Sequence, residues 1–241
     1  MNIFDTKKIR FIGHRGFQPL APENSIPSFA YAGMFGHWAI ETDVRTTSDG
    51  ELVCCHNGTV DGFYNGSGRI SEMSMSELSK LSIIKGNRLD CFEKEDLRMP
   101  KFSEYLEICR RFGSVPFIEI KTKDTERVID AVRRSGFSDG EVVMSSIEFD
   151  SLVETRKMSK DMFIHWIFAE ENRLPVLREL GNAGFSWKIS DPFECPKEKI
   201  DEAHNMGLKI CLRAADSVDY VKRMLWLGLD YLPTNCMHGI I

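Results

Sequence analysis

Short apolar runs alternate with longer amphipathic stretches along the chain, and the alternation recurs about eight times. RFIG (10–13) is followed by a polar loop and a helix predicted to start near Asn24 or Ser25, with Pro27 in its first turn, where a missing N–H costs little. HWAIETDV (37–44) reads as the second strand, and Asp49-Gly50 is a hairpin signal that returns ELVCCH beside it. A Gly-rich polar stretch then runs from about 57 to 100, an excursion from the regular beat, before the helix KFSEYLEICRRFG (101–113). From there strand and helix alternate steadily. The strands are VPFIEIK, EVVMSS, MFIHWIF, FSWKIS, LKICLR and LDYLPTN, with helices near 124–135, 148–158, 172–183, 196–206 and 217–227.

Eight such units predict an α/β fold: a TIM (β/α)8 barrel forming one domain over 1–241, with a small insertion at about 57–100 after strand two. A doubly wound open sheet is the competing architecture, but no Gly-x-Gly-x-x-Gly turn follows the first strand.

Composition changes this picture only by exclusion. A net charge of −5, from 31 basic and 36 acidic residues, comes without any dense Lys/Arg run, which argues against nucleic acid and anionic membrane as partners. The seven cysteines are scattered without Cys-x-x-Cys spacing, so neither a disulfide framework nor a zinc cluster is indicated. The charged start MNIFDTKKIR does not read as a signal peptide, and no 18-residue apolar run follows, so a cytoplasmic location without stable membrane insertion is the expectation.

Candidate chemistry gathers where the strands end, the position at which a barrel of this type carries its active site. His14 and Arg15 end the first strand, Glu41 and Asp43 the second, His56 the hairpin strand, and Glu119 with Lys121 the strand VPFIEIK. The two-residue period places Glu41 and Asp43 on one face, and Glu119 and Lys121 likewise, while Ile40, Val44, Ile118 and Ile120 face the helices. Three converging carboxylates repel one another unless a cation lies between them, and an all-oxygen set favours Mg²⁺ or Ca²⁺ over zinc. The alternative is a set of buried salt bridges to Arg15, Lys121 and Arg45. His14 and His56 are the side chains able to exchange a proton near neutral pH, and Arg15 and Lys121 suit anionic oxygens. Together these groups describe phosphoester cleavage.

The stretches HRGFQPLAPENS, ETDVRTTSDGELVCCH and FIEIK, in this order and spacing, resemble the glycerophosphodiester phosphodiesterases over about the first half of the chain. The resemblance implies a TIM barrel, a divalent ion, a small-molecule glycerophosphodiester as partner, and hydrolysis to glycerol 3-phosphate and an alcohol. It implies His14 and His56 as the acid/base pair, Arg15 and Lys121 on the phosphate, and Glu41, Asp43 and Glu119 on the metal. A lyase-like enzyme releasing a cyclic phosphate, and a phosphodiester-binding protein without turnover, are the alternative readings.

Two positions depart from the family pattern. Asn57 stands where an Asp usually follows the second histidine, and ICLRAAD (210–216) replaces a Trp-Thr-x-Asn run. With Cys211 or Arg213 at that rim instead of an indole, polar or anionic alcohols are expected to be favoured over choline, unless Trp187, which reads equally as a substitute wall or as core, rebuilds it. Within the excursion, Phe63, Tyr64 and Arg69 are either contacts for the alcohol or parts of a solvated loop. Met73, Met75, Leu78 and Leu81, and the tryptophans Trp38, Trp166 and Trp226, read as packing.

Overall fold

Each apolar run is too short to be stable alone, and each is followed by an amphipathic helix that covers its outer side, so the chain curls into a ring of parallel strands. The computed structural model of the protein describes residues 2–6 and 9–238. In chain order the regular elements are β1 (Phe11–Gly13), α1 (Ile26–Met34), β2 (Ala39–Thr46), β3 (Leu52–Cys54), α2 (Met75–Leu78), α3 (Phe102–Phe112), β4 (Val115–Ile120), α4 (Thr125–Arg134), β5 (Val143–Ser146), α5 (Phe149–Met158), β6 (Phe163–Trp166), α6 (Leu174–Leu180), β7 (Ala183–Ser186), α7 (Lys197–Asn205), β8 (Lys209–Cys211), α8 (Val218–Leu227) and β9 (Leu232–Thr234). The strand order is β8-β7-β6-β5-β4-β2-β1-β9, all parallel, with β3 outside the ring and antiparallel to β2.

The ring is nearly closed. Between β8 and β9 the ladder gives way to isolated bonds, from Asp230 N to Ile210 O at 3.0 Å and from Ala215 N to Pro233 O at 2.6 Å. The Asp230 carboxylate reinforces this seam by accepting from Ile210 N at 2.9 Å and meeting Lys209 Nζ at 3.0 Å. The longest ladder joins β2 to β4, from Ala39↔Val115 to Val44↔Ile120, and its register sets Asp43 beside Glu119.

The alternation of faces follows the two-residue period. Ile40, Val44, Ile118 and Ile120 pack with Phe29, Tyr105, Leu106 and Val128 of the surrounding helices. Inside the ring, Ile12, Phe117, Phe163, Cys211 and Tyr231 fill the lower layers, and Phe4 seals the bottom with its ring 4.8 Å from that of Phe163. Gly184 is required there, because a Cβ at this position would lie 2.5 Å from the Tyr231 hydroxyl.

The excursion builds a small core of its own. Tyr64, Ile70, Leu78 and Ile83 bury against Val53 and Cys55 of the hairpin arm and against Leu97 and Met99, with Met73, Met75 and Leu81 packed on the outside. It is tied back to the barrel by Ser48 N donating to Met73 O at 2.9 Å and by Asn87 Nδ2 donating to Gln18 O at 2.9 Å.

Three expectations are corrected. The helix expected to reach 183 stops at Leu180, because Gly181 and Asn182 both take positive φ (68° and 43°), and β7 begins at Ala183 instead of Phe185. Trp187 therefore lies beyond the strand end, and it turns into the helix-covered core against Phe185, with ring centroids 5.1 Å apart. Trp226 does not pack inward: α8 buries Val221, Met224 and Leu227, and of the two residues between the last pair, both on the outer side, Trp226 is 60% exposed.

Candidate active site

The loop from β1 to α1 is shaped by its own polar residues. Arg15 adopts a left-handed backbone (φ 57°), and Gly16 follows at φ 91°, where a Cβ would lie 2.3 Å from Ser28 Oγ. Ser25 caps α1 by accepting from Ser28 N, and Ser28 Oγ donates to the Arg15 carbonyl at 3.1 Å. The helix start thereby holds Arg15 over the mouth of the barrel. Its backbone N–H donates to Glu41 Oε2 at 2.7 Å, and its guanidinium meets Glu23 at 2.9 Å and Asp43 Oδ2 at 3.6 Å.

Glu41, Asp43 and Glu119 are brought together as their spacing predicted, each offering an oxygen within 4.8 Å of the others. Lys121 reaches into the same cluster, with its ammonium 2.7 Å from Glu119 Oε1 and 3.3 Å from Asp43 Oδ1. Asn24 donates to Asp43 Oδ2 at 2.9 Å and accepts from Thr42 Oγ1 at 2.8 Å, so one oxygen of Asp43 is fixed. The other, Asp43 Oδ1, is buried and accepts no hydrogen bond. Arg45, the third possible partner, turns away and donates to the carbonyls of Cys55 and His56 at 3.0 and 2.5 Å, which fixes the backbone beneath His56.

Salt bridges alone leave this cluster incompletely neutralised. Burial pushes the Glu41 carboxyl well above its ordinary range, and the charges of Asp43 and Glu119 push it further. Burial and Asp43 likewise raise Glu119, to about 7. Asp43 is the exception: burial acts to raise it, but Lys121 and Arg15 outweigh burial and hold it below its ordinary value. With all three ionised, the carboxylates outnumber the two cations, and Glu23 at the rim claims part of Arg15 besides. The donor set, all oxygen and buried, with Asp43 Oδ1 held by the Lys121 ion pair alone and accepting no hydrogen bond, fits a hard divalent cation.

The two histidines flank the cluster on the wall of one cavity of about 420 Å³, which Arg15, Glu41, Glu119 and Lys121 also line. His14 Nδ1 lies 2.8 Å from Asn235 Oδ1. The orientation of that amide is determined by its other end, where Asn235 Nδ2 donates to Asp216 Oδ2 at 2.5 Å, so Oδ1 must be the atom facing the ring. His14 therefore carries its proton on Nδ1 and presents a lone pair on Nε2. Burial, and then the neighbouring Arg15, lower its pKa, favouring the neutral ring. His56 Nδ1 lies 3.0 Å from Asn57 Oδ1, so the side chain following this histidine orients it through an amide oxygen in place of a carboxylate.

Several contributors escaped the sequence reading. Asn235, Asp216, Glu23 and Asn24 act through contacts made across the fold. Of these, Glu23 and Asn24 lie inside the HRGFQPLAPENS stretch. His165 forms part of the pocket floor, with Nδ1 2.6 Å from the Tyr231 hydroxyl. Phe168 supplies an aromatic at the rim, while Trp187 takes the core position, one of its two readings. Phe63, Tyr64 and Arg69 do not reach the pocket: Tyr64 is 1% exposed inside the excursion's core, Phe63 packs on that core, and Arg69 points outward beside Glu72.

Residues 14–237 match the family described as Glycerophosphoryl diester phosphodiesterase family. A glycerophosphodiester phosphodiesterase of Caldanaerobacter subterraneus is 28% identical over 95% of this chain and 94% of its own length. Glycerophosphodiester phosphodiesterase 1 of Mus musculus is 33% identical over 47% of this chain and 34% of its own. Among solved structures, an Oleispira antarctica phosphodiesterase in complex with the product sn-glycerol-3-phosphate superposes with a TM-score of 0.86 at 19% identity, over 98% of this chain and 96% of that one. A glycerophosphodiester phosphodiesterase from Agrobacterium tumefaciens gives 0.79 at 23% identity, over 95% and 97%. At these identities the structural likeness is one of fold.

Proposed function

The chain belongs to the glycerophosphoryl diester phosphodiesterase family and hydrolyses glycerophosphodiesters to glycerol 3-phosphate and an alcohol, and we propose that it does so with Glu41, Asp43 and Glu119 holding one divalent cation and His14 and His56 exchanging protons. The observation that carries this assignment is the convergence, on the wall of one cavity, of two basic side chains, two histidines and the carboxylates of Glu41 and Glu119, with the buried Asp43 carboxylate directly behind them in the same cluster. A bound cation supplies charge neutralisation of the carboxylates and of the phosphodiester oxygens.

The chain's own groups carry the rest. Arg15 and Lys121, already within ion-pair distance of the carboxylates, offer donors to the phosphate. His14, with Nδ1–H donated to Asn235, accepts the proton of the attacking group at Nε2, and its lowered pKa keeps that lone pair available at neutral pH. His56, turned by Asn57, delivers a proton from its other nitrogen to the departing alkoxide. Mg²⁺ fits as well as Ca²⁺ on donor type. A cytoplasmic setting belongs to the same reading and is supported by seven cysteines that are all free thiols, as does treatment of 1–241 as one barrel domain with 57–100 inserted.

The test is release of glycerol 3-phosphate from a panel of glycerophosphodiesters, run on metal-stripped protein with and without added Mg²⁺ or Ca²⁺. Chelation is expected to abolish turnover and either ion to restore it. Full turnover in excess chelator rejects the metal assignment. Phosphorus NMR of the products distinguishes attack by water from attack by the substrate's own hydroxyl, because a cyclic phosphate ester resonates apart from a monoester.

A further inference from the structure

The side of the pocket opposite the carboxylates is formed at the ends of β5 to β8 by Ile147, Ile167, Phe168, Leu212 and Arg213, with no acid among them. Phe168 is the aromatic of this rim. Its backbone is left-handed (φ 58°), an unfavourable conformation for a bulky side chain that persists only where neighbours impose it. The neighbours are the two adjacent strand ends: Ile167 N donates to Ser146 O at 2.9 Å, Phe168 N to Ser186 Oγ at 3.3 Å and Ala169 N to Ser186 O at 2.9 Å. Ala169 buries in the core behind it, while the Phe168 ring stays half-buried at the mouth.

That ring is already engaged by two cations. Lys188 Nζ lies 5.6 Å from its centroid and the Arg213 guanidinium 5.8 Å. Neither has a carboxylate within ion-pair distance among the described residues. A quaternary ammonium arriving here meets an aromatic face whose electrostatic attraction is taken up, together with two like charges. An anionic group instead meets two cations without counter-ions.

We propose that this rim selects glycerophosphodiesters whose alcohol portion carries a negative charge of its own, a phosphate or a carboxylate, with Arg213 and Lys188 pairing that charge and Phe168 packing the carbon skeleton. The inference rests on the phosphodiesterase reading of the same pocket. It retains the expected discrimination against choline but changes the cause, since an aromatic is present and its own cations occupy it.

The decisive comparison uses glycerophosphoinositol and glycerophosphoinositol 4-phosphate, which differ by one phosphate, with glycerophosphocholine as the cationic counterpart. Release of glycerol 3-phosphate gives kcat/KM for each. The phosphorylated ester should exceed the unphosphorylated one by about tenfold at low salt, the scale of two partly exposed charge pairs, and the choline ester should fall below both. The advantage should shrink as salt is raised. The double variant Arg213→Gln, Lys188→Gln should bring the ratio close to one, whereas Arg213→Lys, which keeps the charge, should preserve most of it. Equal efficiency towards all three esters, a preference for choline, or a ratio untouched by the double variant overturns the proposal while leaving the phosphodiesterase reading standing. No release from any ester overturns that reading and this one with it.

Discussion

At His14 a single hydrogen-bond chain, Asp216 to Asn235 to the ring, assigns both the tautomer and the direction of the free lone pair. His14→Ala and His56→Ala are each expected to lower kcat by about 10²-fold or more, the usual scale for a positioned proton donor or acceptor. Unchanged affinity for the divalent ion in both variants would separate this effect from loss of the carboxylate site. Asn235→Asp places a carboxylate against the imidazole, which favours its protonated form and raises its pKa. Because a base works only when deprotonated, the acid limb of the kcat/KM profile should move to higher pH in this variant. An unmoved limb would detach Asn235 from His14's role. Glu119→Gln should weaken divalent binding, measured by calorimetric titration, while leaving the fold intact, since it also removes one of three crowded charges.

Among the elements, the seam between β8 and β9 is where the barrel depends on a side chain in place of a ladder. Asp230 accepts from the Ile210 N–H and pairs with both Lys209 and His204, at 3.0 Å each. Asp230→Ala is expected to cost about 1–3 kcal/mol, the range for an unsatisfied buried donor together with a lost charge-assisted bond. Thermal unfolding should then shift downward by roughly 2–4 °C per kcal/mol for a chain of this size. An unshifted midpoint would mean that the two backbone bonds close the ring unaided. The corrected elements show why local pattern reaches only so far. Gly181 ends α6 through its backbone, a signal present in the chain, but Ala183 and Gly184 at the start of β7 carry no apolar alternation to mark a strand.

Over the whole molecule, acid sensitivity has an identifiable source in His165. Burial lowers its pKa from the ordinary value near 6.5 to about 3, and its Nδ1 meets the Tyr231 hydroxyl at 2.6 Å. The folded ring stays neutral where the unfolded one is charged. Its contribution is therefore fully present above about pH 6.5 and is lost as pH falls towards 3, by about 1.4 kcal/mol per pH unit within that window. His165→Gln, which keeps an acceptor for Tyr231, should flatten that dependence in denaturant titrations at pH 7 and pH 4.5; parallel losses in the two proteins would exclude His165 as the source. Periodicity determined much by itself: which residues face the helices, where strands end, and that Glu41, Asp43, Glu119, His14, His56, Arg15 and Lys121 share one end of a barrel, because a two-residue repeat and a strand terminus are local properties of the chain. The ion-pair geometry within that set, the turning away of Arg45, the Asp216–Asn235–His14 chain, the left-handed Phe168 and the burial of Trp187 against exposure of Trp226 were decided only by the tertiary structure. Each depends on two segments meeting that lie far apart in the chain, or on a helix phase that one residue changes, and neither quantity is carried by the residue types alone.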